Sequence, residues 1–286
     1  MKLLKKVSDK KRRGHLAILV ILLVFGFVSC ATAPAADDYV DKDKWNLVWA
    51  DEFSGWSIDS EKWAFDLGGH GFGNHELQYY TNGDNAFVRW GKLVIEARKE
   101  KHKGNPYTSA KLWTKGKASW RYGKIAVRAK LPKGQGIWPA VWMLPKDPYA
   151  MKWPAGGEID IVELVGQAPH VVHGTLHYGE PHEFHGGKYT LEEGDFSDDF
   201  HVFTIEWEPG RITWFVDGEQ YYTRTEWFSN DMYNRKEYEF PAPFNKEFML
   251  ILNVAVGGEW PGPPDNTTEF PQRMVVDYVR VYKQAN

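Results

Sequence analysis

From residue 44 onward the chain is written in short apolar or alternating runs separated by turn residues, with no helical repeat of useful length. The runs predict strands at 47–53, 76–81, 86–89, 93–98, 109–114, 123–131, 137–144, 158–165, 170–177, 201–207, 212–216, 220–223, 248–254 and 274–282. Turn signals punctuate them at Asn82-Gly83-Asp84, Glu208-Pro209-Gly210 and Asp217-Gly218. The alternation is clearest over 201–216, where Phe203, Ile205 and Trp207 on one face pair with Ile212, Trp214 and Val216 as a core hairpin. So many evenly spaced strands predict an all-β fold, a sandwich of two antiparallel sheets. No internal repeat, linker or low-complexity segment follows residue 43, so 44–286 is expected to be one domain.

Composition narrows the picture. A chain of 286 residues, 43% hydrophobic and 26% charged, can bury a substantial single core. Its net charge of -3, with no long basic run beyond the first fifteen residues, gives no footing for a nucleic-acid partner. The 14 tryptophans among 15% aromatic residues suit stacking on the apolar faces of sugar rings, and they equally suit a core.

The amino terminus has a different pattern. Lys2, Lys5, Lys6, Lys10, Lys11, Arg12 and Arg13 precede an apolar run at 16–28 that is too short to span a bilayer comfortably. Residues 1–29 therefore read as a secretory signal. Cys30 is the only cysteine, which excludes an intrachain disulfide. Phe27-Val28-Ser29-Cys30 resembles a bacterial lipobox, with Phe27 where Leu is usual, and implies lipidation of Cys30 after cleavage; a plain signal peptide or an uncleaved anchor are the alternatives. Residues 31–43, rich in Ala, Asp and Pro, read as a flexible tether. The expectation is an exported protein, lipid-anchored at the bacterial cell envelope, on the outer membrane or cell surface, or else secreted.

The chemistry concentrates in Gly156-Gly157-Glu158-Ile159-Asp160-Ile161-Val162-Glu163, preceded by Trp153-Pro154. On a regular strand Glu158 and Asp160 share a face and Glu163 falls on the other. One bulge at Ile161-Val162 returns Glu163 to the first face. The apolar Ile159, Ile161 and Val162 argue for a buried strand, where unpaired acids are expensive; the plainer alternative is an edge strand with solvated acids. Retaining glycoside hydrolysis needs one carboxylate to attack the anomeric carbon and a second carboxyl, roughly 5 Å away, to protonate the leaving oxygen. Neighbouring positions on a strand face lie about 7 Å apart and their side chains can lean together, which suits Glu158 and Glu163 to that chemistry. Mutual repulsion is expected to keep one of them protonated near neutral pH.

The Glu-Ile-Asp-Ile-Val-Glu run with Trp-Pro upstream is similar to the signature of glycoside hydrolase family 16, in the bulged form carried by laminarinases, agarases and carrageenases. The resemblance extends from about Leu47 to Tyr282. It implies a β-jelly roll whose concave sheet forms an open cleft, with Glu158 as nucleophile, Asp160 as its helper and Glu163 as acid/base. It also implies sugar contacts from Asn74, in Asn74-His75-Glu76-Leu77-Gln78-Tyr79-Tyr80, and from Arg98, Trp138, Trp142, Trp153, His177 and Trp260. Each has a plainer alternative: a turn-capping Asn, a solvated or paired Arg, core tryptophans, a structural His. His173, Thr175 and His177 alternate onto one face, while a zinc site from His170, His173 and His177 lacks a third co-facial ligand. A structural Ca²⁺ on the convex side, held by Glu52, Gly91 and Asp277, is implied by the resemblance alone, since sequence would rate the two acids as surface residues. No cofactor is expected for catalysis.

The expected function is a retaining endo-glycosidase, acting as a monomer on β-1,3-glucan or mixed β-1,3-1,4-glucan. An agarase or carrageenase is the nearest alternative, and a sulfated substrate would call for a basic groove in which Arg98 is the only cation on offer. A non-catalytic surface glycan-binding protein would be marked by loss of an acid, and all three are present. A transglycosylase would use the same residues.

Overall fold

The structure is a computed structural model that describes residues 39–232 and 235–285. The expected signal at 1–29, Cys30 and tether residues 31–38 lie outside the described residues. Among the described residues there is no α-helix, and two large antiparallel sheets carry the fold. One sheet runs in the order Glu183–Thr190, Val171–Tyr178, Glu158–Glu163, Ile137–Pro145, Phe248–Val256, Lys111–Trp113, Ala64–Phe65. The other runs Glu219–Arg224, Arg211–Val216, His201–Glu208, Gly123–Lys130, Gln272–Gln284, Lys92–Ala97, Ala86–Arg89, with Trp45–Asp51 also paired to Gln272–Gln284. Sequence-distant neighbours such as Ile137–Pro145 and Phe248–Val256 give it the crossing connections of a jelly roll.

The sheets meet over one apolar layer. Ile125, Val127, Ile205, Trp207, Ile212 and Trp214 from one sheet join Val141, Met143, Ile159, Leu176, Leu250 and Leu252 from the other in a single buried cluster. The hairpin register follows from the alternation, with Phe203 opposite Val216, Ile205 opposite Trp214 and Trp207 opposite Ile212. In Val171–Tyr178 the pattern divides the faces: Val172, Leu176 and Tyr178 are buried, and His173, Thr175 and His177 stand half-buried on the side away from the core. Phe248–Val256 is buried throughout, and the segment around residue 77 is tied to its far end. Leu77 N donates to Val256 O at 2.7 Å, and Val256 N donates to Gln78 Oε1 at 2.7 Å.

Three expectations change. The run at 109–114 divides into Tyr107–Ser109, which pairs in parallel with Gln78–Tyr80, and Lys111–Trp113, which joins the seven-stranded sheet. Glu183–Thr190 is an edge strand that the sequence pattern does not announce. The end of the expected tether is folded: Tyr39 and Val40 pack on Trp45, Ala126, Val202, Tyr278 and Tyr282, and Lys124 Nζ donates to Tyr39 O at 2.8 Å. The domain therefore includes residues 39–43 rather than starting at 44.

Candidate active site

The outer face of the seven-stranded sheet gathers the acids. Glu158 lies opposite His177 and Asp160 opposite Thr175, after which the register slips and Glu163 lies opposite His173. On the other flank Asp160 lies opposite Trp142, Val162 opposite Val141 and Glu163 opposite Ala140. Ile161 is the added residue, so Glu163 returns to the face of Glu158 and Asp160 while Val162 takes the core side. Gly157 starts this strand at φ 85°, and a Cβ there would stand 2.8 Å from Pro243 Cγ and 2.9 Å from Phe244 Cε1. Only glycine fits that approach, and it delivers Glu158 to the head of the strand.

All three carboxyls are withdrawn from water. Burial first, and then the charge of Asp160, push Glu158 up to about 8, with Glu163 adding to the rise and His177 and Trp153 opposing it. Burial and Asp160 likewise push Glu163 up to about 8 against the pull of His177 and Trp138. Burial alone holds Asp160 well above the usual carboxylate range. Indole donors fix the two glutamates: Trp153 Nε1 donates to Glu158 Oε2 at 3.1 Å and Trp138 Nε1 to Glu163 Oε1 at 3.0 Å. His177 Nε2 stands 3.3 Å from Asp160 Oδ2 and 3.9 Å from Glu158 Oε1. The first of these is close but not aligned as a hydrogen bond, so Asp160 Oδ2 is buried without a hydrogen-bond partner among the described residues. Glu158, Asp160 and His177 also bring one ligand atom each within 4.8 Å of one another, a set that could hold a cation, but the burial that protonates both carboxyls works against one. His170 and His173 are not part of that set.

Aromatic surfaces extend the site to either side of the acids. Beyond Glu158 lie Trp153, 52% exposed, and His182, whose ring centre is 4.8 Å from that of Trp153. His182 Nε2 and His177 Nδ1 are 3.0 Å apart, and Phe184, opposite His177, stands exposed beside them. Beyond Glu163, Trp138 meets Trp260 edge-on at 5.7 Å, and Trp260 meets His173 at 5.1 Å. Trp142 shares the cleft face, and its Nε1 donates to Asn253 Oδ1 at 2.7 Å. Asn253 Nδ2 donates to Tyr80 OH at 3.1 Å, which donates to Glu76 Oε2 at 3.2 Å, and Gln78 Nε2 donates to the same oxygen at 2.6 Å. Burial raises Glu76 too, while the hydrogen bond from Gln78, the charge of Lys111 and hydrogen bonds from Tyr80 and Asn74 oppose the rise.

The family model for Glycosyl hydrolases family 16 matches residues 73–280. The chain belongs to this family. It is 49% identical over 248 residues to a Beta-glucanase of Rhodothermus marinus, covering 84% of this chain and 85% of that protein. It is 42% identical over 253 residues to a Glucan endo-1,3-beta-glucosidase of Cryptopygus antarcticus, covering 82% and 91%. The laminarinase catalytic domain of Thermotoga maritima superposes with a TM-score of 0.75 at 48% identity, covering 85% of this chain and 99% of that one.

Within this family 16 site, Glu158, Asp160, Glu163, Trp138, Trp142, Trp153 and His177 lie on one face, with Trp260 and Asn74 at one end. Asn74 O accepts from Glu259 N at 3.0 Å, which ties its loop to the segment bearing Trp260. Arg98 does not join them. Leu93, Ile95 and Ala97 fill the core, so Arg98 lies on the outer face of the other sheet. There it pairs with Glu96, donates NH2 to Asp84 O at 2.9 Å and stands 3.7 Å from Glu100. Glu76, Tyr80, His182 and Phe184 are members that sequence reasoning passed over. Glu76 and Tyr80 were within reach of it, since they stand in the segment singled out for Asn74.

The calcium ligands do not fit. Arg280 grips Glu52 with Nε at 2.8 Å and NH2 at 2.9 Å. Asp277 is held by Lys92 Nζ at 2.8 Å and Arg128 NH1 at 2.6 Å; although burial opposes it, these two cations keep its carboxyl below its ordinary value. Two acids facing three cations repel a divalent ion. Treatment with EDTA is accordingly expected to leave the thermal midpoint unchanged, as read by calorimetry with and without added calcium. The acids give a second expectation. Burial raises Glu158 from its ordinary 4.5 to about 8, so the folded state binds the extra proton between those values and stability falls as pH rises through that window. Glu158→Gln removes the effect, and the variant should match the parent below about pH 4.5 and exceed it by on the order of 1–3 kcal/mol at pH 8, measured by urea unfolding across pH.

Proposed function

We propose that the chain hydrolyses internal β-1,3 linkages of β-glucans, including mixed β-1,3-1,4-glucans, by double displacement with retention. The observation that carries this is the bulged strand that aims Glu158 and Glu163 into one cleft with aromatic surfaces on both sides of the acids. A glucan chain lies across the cleft with its sugar faces on tryptophan and its hydroxyls near Asn74, Glu76 and His177. The Glu158 carboxylate attacks the anomeric carbon as the glycosidic C–O bond breaks, and Glu163 gives its proton to the departing oxygen. Glu163, now a carboxylate, takes a proton from water, whose oxygen displaces Glu158. Trp153 N–H stabilises Glu158 when it is charged, and Trp138 N–H holds the Glu163 carboxyl in line. An open cleft flanked at both ends accepts a chain passing through, which supports internal cleavage. Every group the reaction needs is supplied by one chain, so the reading requires no more than a monomer.

Product analysis on laminarin, lichenan, agarose and carrageenan tests this. The expectation is oligosaccharides from the first two only, and a fall of about 10²–10⁴-fold on Glu163→Gln with near-complete loss on Glu158→Gln. Activity on laminarin persisting in Glu158→Gln would remove the assignment. We also infer, from the basic and apolar pattern before Cys30, export and lipid anchoring at that cysteine. In cells making the full chain, Cys30→Ser is expected to move the protein from the membrane fraction to the soluble one, as read by fractionation and immunoblot.

A further inference from the structure

The strand that carries the acids is held from behind as well as from its flanks. The ladder breaks on both sides immediately after Asp160: the next partners are Val162 on one flank and Glu163 on the other. The Asp160 carbonyl sits at that break. Trp214, fully buried on the strand Arg211–Val216 of the opposite sheet, donates Nε1 to this carbonyl at 2.8 Å. The bond runs through the core from one sheet to the other, 54 residues apart in sequence, and belongs to no ladder. Gly174 faces the bulge between the partners of Asp160 and Glu163, and a Cβ there would come within 2.3 Å of Trp214 Cδ1 and 2.6 Å of its Nε1. The missing side chain is what admits the indole.

We propose that Trp214 is a positioning residue for the double displacement proposed above: its indole N–H pins the bulge and so fixes the side of the strand on which Glu163 emerges. A bulge leaves backbone without ladder partners, and its twist sets the direction of the residues that follow. A clamp at Asp160 O acts between Glu158, which precedes it, and Glu163, which follows. Trp214 never touches substrate; it acts through the relative placement of the two glutamates. A tryptophan that merely filled the core would need its shape there and not its N–H.

Trp214→Phe and a 3-benzothienylalanine replacement at 214 are made in the full chain, their folding checked by near-ultraviolet circular dichroism, and the second carries the test if the first does not fold. Both variants remove the N–H; the benzothienyl ring keeps the shape of the indole and phenyl does not. Each is assayed on laminarin and on a dinitrophenyl β-laminaribioside, whose leaving group needs no protonation. The expected result is a fall in kcat/KM of roughly 10- to 100-fold on laminarin and under about threefold on the aryl glycoside, because kcat/KM reports the glycosylation step, the one in which the aryl leaving group dispenses with the acid. Equal losses on the two substrates, or full activity on laminarin in a folded variant, would overturn the clamp. Glu163→Gln runs alongside: if it lacks the same split between substrates, the acid/base assignment itself fails, and that outcome is separate from a failure of Trp214.

Discussion

Three carboxyl groups withdrawn from water on one face of one strand are the constraint that the rest of the site accommodates. Burying a charge without a partner is expensive, so the groups respond by holding protons, and burial leads the causes in each of the three. The strand cannot relieve the strain by turning, because its other side chains are locked in the core: Ile159, Ile161 and Val162 are buried among residues of both sheets. A slip of one residue would put acids into that core and apolar groups into the cleft. The cost of packing the acids and the cost of exposing the hydrophobes thus select the same register, and the bulge is the only place where the two demands on residues 158–163 are reconciled.

Positioning then comes from neutral donors rather than from cations. Trp153 and Trp138 each give one indole N–H to a glutamate, and Trp142 gives its own to Asn253. An arginine in these places would drive the carboxyls to full ionisation and leave no acid to protonate a leaving group. An indole steadies the carboxyl while adding no net charge, and it offers a flat face to sugar. The hydrogen bonds from Asn253 through Tyr80 to Glu76 carry the same economy out to the loop of Asn74, and the cation beside them, Lys111, is buried and paired with Asp66 at 3.1 Å. That composition suits a neutral glucan better than a sulfated galactan.

The legible part of this architecture was the part in which one period decides. Alternation in 201–216 fixed the hairpin register, and the parity of Glu158, Asp160 and Glu163 required the bulge before any coordinates. Where parity left two outward directions, it did not choose between them. Arg98 lies opposite the core face of its strand, as its alternation demanded, but the outside of that sheet is not the cleft, and Glu96 and Glu100 lie there to pair with it. Glu183–Thr190 escaped because an edge strand with no fully buried residue, polar on both sides and with Gly186-Gly187 at its centre, shows neither an apolar face nor β-branched enrichment. Glu52 and Asp277 are acids of the kind calcium takes, but the arginines and lysine that claim them come from other strands, and no local pattern reports that. Trp214 is the extreme case. Its alternation marks it as core, and nothing in its neighbourhood says that its N–H reaches the strand of the acids.

The protonation of the resting site follows from how little positive charge faces the three acids. His177 is the basic group nearest them, 3.3 Å from Asp160 and 3.9 Å from Glu158, and behind it stands His182, at 3.0 Å between ring nitrogens. Burial, and then the neighbouring His177, lower His182, so the second ring favours its neutral form. Burial holds Asp160 well above the usual carboxylate range. Burial and Asp160 raise both glutamates to about 8, and each rise is opposed in the same way, by His177 and Trp153 N–H at Glu158 and by His177 and Trp138 N–H at Glu163. The charge of one carboxylate raises its neighbour, so the first glutamate to ionise helps keep the other protonated. A nucleophile ionised beside an acid still protonated is the state from which a double displacement begins, and here burial and mutual repulsion favour it rather than any strong ion pair.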